Sequence, residues 1–478
     1  MQILFVEDNF SYAHTLVSVV NEKFLGVSWD VIDNSGSAEE LLAHNFYDLV
    51  ILDLYIPSIP SGLEKSVETG QGLFYLIQQQ MPGTPIYILT GSDLDSFATG
   101  LSRHGERIRL WGAQQEFPTV LYFQKNKTPE LIEELSGVYH EVLSVNAISI
   151  NTRGKAIVFA KGQERALKTF VRSVGGSDGV YYPLSGLSGS LVGRIEVRDA
   201  RLNIIGAFVA KLGLSSKIQK ENESYARHVR LLPINTFTPL LSGMDKGLKE
   251  YSAIFYTLAE GYKETLFEVV RRDTAAAVSV IQQVRASLER WNSVRDVSKV
   301  SVGDIRKEKL SDENFEAIVA HYGLEEIRDV ESINVSASVS CIHGDLHGGN
   351  ILVNQAGTPV LIDFGDVGFG YTGLDPITLE MSLIFHPDCV SSGVSQEMRS
   401  FLEHWPIIDG YCHNNPFGNV VKYCRDWAYD ISGDDQSVLA VGYAFAIRQL
   451  KYDTVNSDET IALIIRIANA LKVGGGRV

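Results

Sequence analysis

Over roughly the first 145 residues, short apolar runs alternate with helical patterns, and this alternation narrows the possible folds more than any other feature of the chain. The runs "ILFV", "VSWDVI", "DLVILDL", "PIYILT" and "TVLYFQ" have strand length, and "SYAHTLVSVVNEKF", "SAEELLAH", "GQGLFYLIQQQ" and "TPELIEELSGVYHEVL" have helical periodicity. Strands that are each followed by a helix pair in parallel, since a crossover helix brings the chain back to start the next strand at the same end. The prediction is therefore an α/β module with a five-stranded parallel sheet covered on both faces. In such sheets function collects at the carboxyl ends of the strands.

Those ends carry a coherent set of polar groups. Strand one runs into Glu7 and Asp8, strand three ends at Asp53, strand four at Thr90, and strand five at Lys125. Three carboxylates converging there repel one another unless a cation joins them, and an oxygen-only donor set suits Mg²⁺. A hydroxyl and an ammonium beside them complete a receptor for a transferred phosphoryl group. Residues 1–147 thus resemble a response-regulator receiver domain of the (βα)5 type. The resemblance implies that Asp53 is the phosphoacceptor and that Glu7, Asp8 and Asp53 hold Mg²⁺. It also implies that Thr90 and Lys125 meet the phosphoryl oxygens and that Tyr122 is the aromatic switch. The implied partners are a histidine kinase or phosphotransfer protein and a second copy paired through the receiver. Two departures stand out: Asn126 follows the lysine where the family usually has proline, and "PSIPSGLEKSVETG" lengthens the loop after the phosphoacceptor strand, where it is expected to cover or reshape the site.

Near residues 145–154 the pattern changes. "KAIVFAKGQERALKTFVRSV" reads as a strand and an amphipathic helix, and "YYPLSGLSGSLVGRIEVRD" as a glycine-rich turn entering a strand; glycine lets backbone amides approach a phosphate closely. Lys211 stands in the apolar strand "IIGAFVAKLG" and needs a carboxylate partner, which Glu221 or Glu223 on the next helical segment would supply. "AIFYTLAEG" reads as a strand leading into a hinge.

The decisive stretch of this second part is "CIHGDLHGGNILVN", followed by "VLIDFGD". Transfer from ATP needs a carboxylate to orient or deprotonate the attacking hydroxyl and oxygen ligands for Mg²⁺ on the phosphates; Asp345 suits the first role, Asn350 and Asp363 the second. His343 is expected to brace the loop by hydrogen bonding. His343 and His347 have the spacing of a zinc pair on a helix, but Gly344, Gly348 and Gly349 disfavour a helix there.

Residues 148–478 accordingly resemble the aminoglycoside and choline phosphotransferase branch of the protein-kinase-like superfamily, through the motif H-G-D-L-H-x-x-N. The resemblance implies an α+β bilobal domain with a small lobe over about 148–262 and a helical lobe over about 263–478. Lys211 would hold the α/β phosphates with Glu221 as its partner, and a turn containing Gly186, Gly189 and Ser190 would cover the nucleotide. That turn departs from G-x-G-x-x-G. Asp375, ahead of a helical segment, is expected to anchor the loop after Asp363.

Composition limits the remaining function classes. A formal net charge of −16 sets the chain against nucleic acid and anionic membrane surfaces. No apolar run approaches the roughly 20 residues of a membrane span, and Glu7 and Asp8 interrupt any leader-like start, so a cytoplasmic location is expected. The four cysteines, all beyond residue 340, form no C-x-x-C pair and read as reduced thiols. The reading is a phosphorelay protein in which a receiver regulates an ATP- and Mg²⁺-dependent phosphotransferase. The alternative is a non-catalytic regulator that uses the kinase-like half to bind nucleotide or a partner.

Overall fold

The computed structural model describes residues 1–62, 64–91, 105–184, 189–293 and 295–474. They form two compact units, one from Met1–Lys220 with Pro239–Leu258 and one from Glu221–Thr238 with Ala259–Val478.

The first unit opens with β1 (Gln2–Val6), α1 (Phe10–Lys23), β2 (Ser28–Ile32), α2 (Ser35–His44) and β3 (Leu49–Asp53). A short hairpin of β4 (Ile56–Pro57) and β5 (Lys65–Ser66) precedes α3 (Val67–Gln80) and β6 (Ile86–Thr90). The strands pair in parallel in the order β2-β1-β3-β6-β9, with β9 at Val120–Gln124. Burial explains the order: β3 and β6 are buried at every position and sit inside, whereas β2 is partly exposed and lies at an edge. Ile3 and Phe5 pack on one face of the sheet and Leu4 and Val6 on the other, so both faces are cores. Side-chain caps from Asn9, Asn34 and Ser66 start the first three helices.

The helix expected after β6 falls on residues outside those described. From residue 105 the chain forms β7 (Arg107–Ile108), a tight turn at Leu110–Gly112 and β8 (Phe117–Pro118), then β9 and α4 (Thr128–Asn146).

The same unit continues with β10 (Ser149–Asn151), α5 (Lys161–Ser173), β11 (Asp178–Pro183), β12 (Leu191–Arg198) and β13 (Ile204–Leu214), followed by α6 (Ser215–Arg227), which runs on into the second unit. With β14 (Leu240–Met244) and β15 (Tyr251–Thr257) these strands make a six-stranded sheet in the order β10-β11-β12-β13-β15-β14. "KAIVFA", expected as a strand, is irregular instead. Ile157 and Phe159 turn inward onto the sheet while Val158 is 92% exposed, and the edge strand is formed earlier, at Ser149–Asn151.

Helix α5 covers this sheet with Phe170 stacked on Phe255 at a centroid distance of 3.9 Å. Its other side meets the parallel-sheet module. Arg165 pairs with Asp48 at 2.7 Å, both nearly buried, and its guanidinium lies over Trp111 at 4.7 Å. The Trp111 indole donates to Gly247 O at 3.1 Å, and Arg172 donates to Trp111 O at 3.1 Å.

The second unit contains two three-stranded sheets, β16-β19-β20 and β17-β18-β21, where β16 is Tyr262–Thr265, β17 Asp296–Ser301, β18 Asn334–Ile342, β19 Ile351–Asn354, β20 Pro359–Leu361 and β21 Gly368–Tyr371. Its principal helices are α7 (Thr274–Asn292), α8 (Leu374–Phe385), α9 (Gly418–Ser432), α10 (Asp435–Gln449) and α11 (Ser457–Val473). Helix α8 is buried at every position, as an apolar helix enclosed by its neighbours must be. Among the described residues no helix is long and apolar enough to cross a membrane.

Candidate functional site

Each unit presents a cluster at the positions singled out by the sequence. At the carboxyl end of the parallel sheet, Lys125 Nζ donates to Asp53 Oδ2 and to Glu7 Oε1, each at 2.8 Å. Burial pushes the Glu7 carboxyl above its ordinary range, and its hydrogen bond to Lys125 pulls it back. Burial also works against the Lys125 ammonium, but the hydrogen bonds to Asp53 and Glu7 outweigh it and hold Lys125 above its ordinary value. The second oxygen of Asp53 accepts from Tyr55 N at 3.1 Å, which fixes the carboxylate at the strand end.

Oxygen atoms of Glu7, Asp8 and Asp53 lie within 4.8 Å of one another, close enough for one ion to reach all three, and the oxygen-only donor set fits Mg²⁺. Thr90 ends β6, buried, and its carbonyl accepts from Lys125 N at 3.0 Å, so the hydroxyl and ammonium residues are held in register across neighbouring strand ends. Tyr122 lies on β9 and is 37% exposed. The turn after Lys125 closes without the usual proline through Lys127 N donating to Gln124 O at 2.8 Å.

Of the nucleotide-binding residues expected from the sequence, Gly186 lies outside the described residues. Gly189 has a left-handed φ of 70° and Ser190 is half-buried just before β12. Lys211 is buried within β13, between Val192 and Ile254 on the flanking strands. On α6, Glu221 is buried, whereas Glu223 is exposed and pairs with Arg227 at 3.3 Å. Burial therefore selects Glu221 over Glu223 as the carboxylate with an interior role. Tyr225, one turn along α6, packs edge-on against Phe364 of the "LIDFG" stretch at 5.8 Å.

The loop after β18 is built from its backbone outward. Gly344 has φ 80°, and a Cβ there would meet Asp366 O at 2.4 Å, so only glycine allows the turn that presents Asp345. His343, fully buried, donates from Nε2 to Ile362 O at 3.1 Å and so ties the loop to the residue before Asp363. The Asn350 amide donates to Asp345 O at 2.9 Å, and Ile362 N donates to Asn350 O at 3.1 Å. Asp363 itself sits at φ 61°, a left-handed conformation that Asp tolerates better than most residues. Asp345, Asn350 and Asp363 thus belong to two short segments held together by backbone hydrogen bonds.

Asp375, expected to anchor the loop after Asp363, holds the loop before Asp345 instead. It lies in the first turn of α8, and its two oxygens accept from the amides of His343 and Gly344 at 2.8 and 2.9 Å. The acid anchors the loop that carries Asp345, because the glycine turn leaves those two amides pointing inward with no strand partner. Burial pushes the Asp375 carboxyl up, and His343 and the two amides pull it back.

Two features escaped the sequence reading. Lys309 donates to Gly344 O beneath the loop; burial lowers its pKa while the carboxylates of Asp366, Asp345 and Asp375 act in the opposite sense. In "RKEKLSD" it looks like one more solvated lysine, and no local signal marks it. The His347 ring lies 4.5 Å from that of His386, tilted by 38°, and parallel to the Phe267 ring at 6.2 Å, and burial pushes its pKa down to about 4. Its Nδ1 accepts from Gly349 N at 3.1 Å, leaving Nε2–H facing Asp345 at 3.7 Å. At the neighbouring Gly348 a Cβ would meet the Phe267 ring at 2.6 Å, so glycine is required for this packing.

Comparison with known proteins places these sites in context. Residues 283–388, which include the whole Asp345 loop and Asp363, match the model of the phosphotransferase enzyme family. Among solved structures, the chain is similar to a Francisella response regulator receiver domain, at 20% identity over 30% of this chain and 98% of that one, with a TM-score of 0.22. It is similar to the BeF3-activated N-terminal receiver domain of Klebsiella pneumoniae RstA at 22% identity, over 29% of this chain and 97% of that one, with a TM-score of 0.22. A third likeness is to aminoglycoside phosphotransferase APH(4)-Ia, at 14% identity over 62% of this chain and 94% of that one, with a TM-score of 0.37. No curated protein matches the chain. The C-terminal part therefore contains a phosphotransferase-family domain, and the strand order of the N-terminal sheet is that of a receiver-type fold.

Proposed function

We propose that this chain, a receiver-type module joined to a phosphotransferase-family domain, is a phosphorelay protein whose Asp53 phosphorylation controls an ATP- and Mg²⁺-dependent transfer to a hydroxyl acceptor. The observation that carries the reading is the pairing, on one chain, of Asp53 held by Lys125 with the family-matched loop that presents Asp345.

In the receiver, Asp53 Oδ attacks the phosphorus of a phosphohistidine; the P–O bond forms as the P–N bond breaks, and the imidazole nitrogen keeps the electron pair. Lys125 stabilises the charge that gathers on the phosphoryl oxygens, with the Thr90 hydroxyl as a further donor. Bound at Glu7, Asp8 and Asp53, Mg²⁺ would neutralise the same oxygens. In the second unit, the acceptor hydroxyl attacks the γ-phosphorus, Asp345 takes its proton and ADP departs. Asn350 and Asp363 would supply the oxygen ligands that a metal–nucleotide complex needs.

Support for regulation comes from the segment between Thr90 and Tyr122. It contains Trp111, held between Arg165, Arg172 and Gly247, which joins the parallel-sheet module to α5. A coupling of about 1–3 kcal/mol would change turnover some 5- to 150-fold. Beryllofluoride with Mg²⁺, which mimics the aspartyl phosphate, is expected to change the rate of phosphate release from ATP, or the oligomeric state, in the full chain and to leave Asp53→Ala unaffected. No response in the wild type removes the regulatory claim, and a response that survives in Asp53→Ala places its origin elsewhere.

A further inference from the structure

The lengthened loop after β3 brings a lysine to the acid cluster. Lys65, on β5, forms an ion pair with Asp8, which is the carboxylate of the cluster that Lys125 does not hold. The hairpin carrying Lys65 is fixed from the opposite side: Ser58 O accepts from Gly36 N at 3.1 Å, and Ser61 N donates to Asp33 Oδ2 at 3.1 Å. Immediately after Lys65, Ser66 caps α3 through its hydroxyl, accepting from Thr69 N at 3.2 Å. The lysine backbone is thus tethered on both sides, and its flexible side chain is the part that can leave.

The electrostatic consequence follows from counting charges. Glu7, Asp8 and Asp53 contribute three negative charges, and Lys125 and Lys65 return two positive ones. Each of the three carboxylates already has an ammonium partner supplied by the chain itself. A divalent ion that takes Asp8 Oδ2 displaces Lys65, and one that takes the other oxygen still meets its charge beside it, whereas Lys125 touches only the other two acids.

We propose that Lys65 is a built-in competitor for the divalent cation, an intramolecular counter-ion that sets the Mg²⁺ concentration at which this receiver site loads. The inference rests on reading Glu7, Asp8 and Asp53 as the cation site. The Lys65 side chain is 35% exposed, so solvent screening keeps the competition modest, and removing the ammonium should tighten Mg²⁺ binding by about three- to fivefold. A lysine here therefore shifts the loading threshold without closing the site.

The test is calorimetric titration of Mg²⁺ without nucleotide into the full chain, for wild type, Lys65→Gln, Lys65→Arg and Asp8→Asn, with the Asp8→Asn heat defining binding outside this site. The expected result is a Kd three- to fivefold lower in Lys65→Gln, with Lys65→Arg staying near wild type because the charge remains. If wild type binds through Asp8 but Lys65→Gln binds equally or more weakly, the competitor role is overturned and the cation site stands. If neither wild type nor Lys65→Gln shows heat beyond Asp8→Asn, the cation site and the competitor fall together. Circular dichroism melts of each variant separate these outcomes from loss of fold.

Discussion

Asp345→Asn is expected to leave ATP binding unchanged and to cut phosphate transfer on the order of 10²- to 10⁴-fold, the usual contribution of a positioned general base. The amide is nearly isosteric with the acid, so the loop should keep its shape. Its scaffold is made by other groups: Asp375 receives the His343 and Gly344 amides, His343 donates to Ile362 O, and Asn350 donates to the Asp345 carbonyl, which the substitution leaves in place. What disappears is a side chain able to accept the hydroxyl proton. His347 is not a ready substitute: its Nε2–H already carries a proton, and its Nδ1 is engaged by Gly349 N. Phosphate release from Mg²⁺–ATP and calorimetric ATP binding measured on the same preparations decide the matter. Turnover retained within tenfold would remove Asp345 from the role of base, and a parallel loss of ATP binding would reassign it to holding the nucleotide.

Arg425→Ala is expected to destabilise the second unit by about 3–5 kcal/mol, the cost of leaving a buried charge without its partner. Arg425 on α9 and Glu380 on α8 are both fully buried; the guanidinium donates to the two carboxylate oxygens at 2.9 and 2.6 Å. It also donates to Trp405 O at 3.2 Å and lies 4.0 Å over the Trp405 ring. Alanine would orphan Glu380 in an apolar interior and open a cavity beneath Trp405. Helix α8 carries Asp375 five residues before Glu380, so the same change should loosen the Asp345 loop and lower phosphate transfer. The double variant Glu380→Leu with Arg425→Met removes both charges and is expected to recover most of the stability. Calorimetric unfolding of the three proteins tests this. A loss under 1 kcal/mol for the single variant, or a double variant less stable than the single, would show that the pair is not what locks α8 to α9.

Local pattern was sufficient for much of the molecule. Strand and helix periods repeat every few residues, so the apolar runs of residues 1–145 specify a parallel sheet by themselves, and its topology then brings Glu7, Asp53, Thr90 and Lys125 to one edge. Asp345, Asn350 and Asp363 were legible for a similar reason, since their glycine-bent spacing is itself local. The strand expected at "KAIVFA" failed because composition cannot report that Ile157 and Phe159 are drawn onto a sheet whose edge is already occupied by Ser149–Asn151.

Only the tertiary structure decided which distant polar groups meet. Lys65 on Asp8, Lys309 on Gly344 O, Arg165 on Asp48 and Arg425 on Glu380 join residues far apart in the chain, with no period linking them. A lysine or arginine in sequence is a solvated cation by default. Where folding takes it and a carboxylate out of water together, as for Arg165 and Arg425, desolvation makes the pairing compulsory, whereas the partly exposed Lys65 keeps an exchangeable pair. Asp375 illustrates the same limit for a single acid. The sequence placed it at a helix start, but burial beside two inward-facing amides made it the anchor of the Asp345 loop.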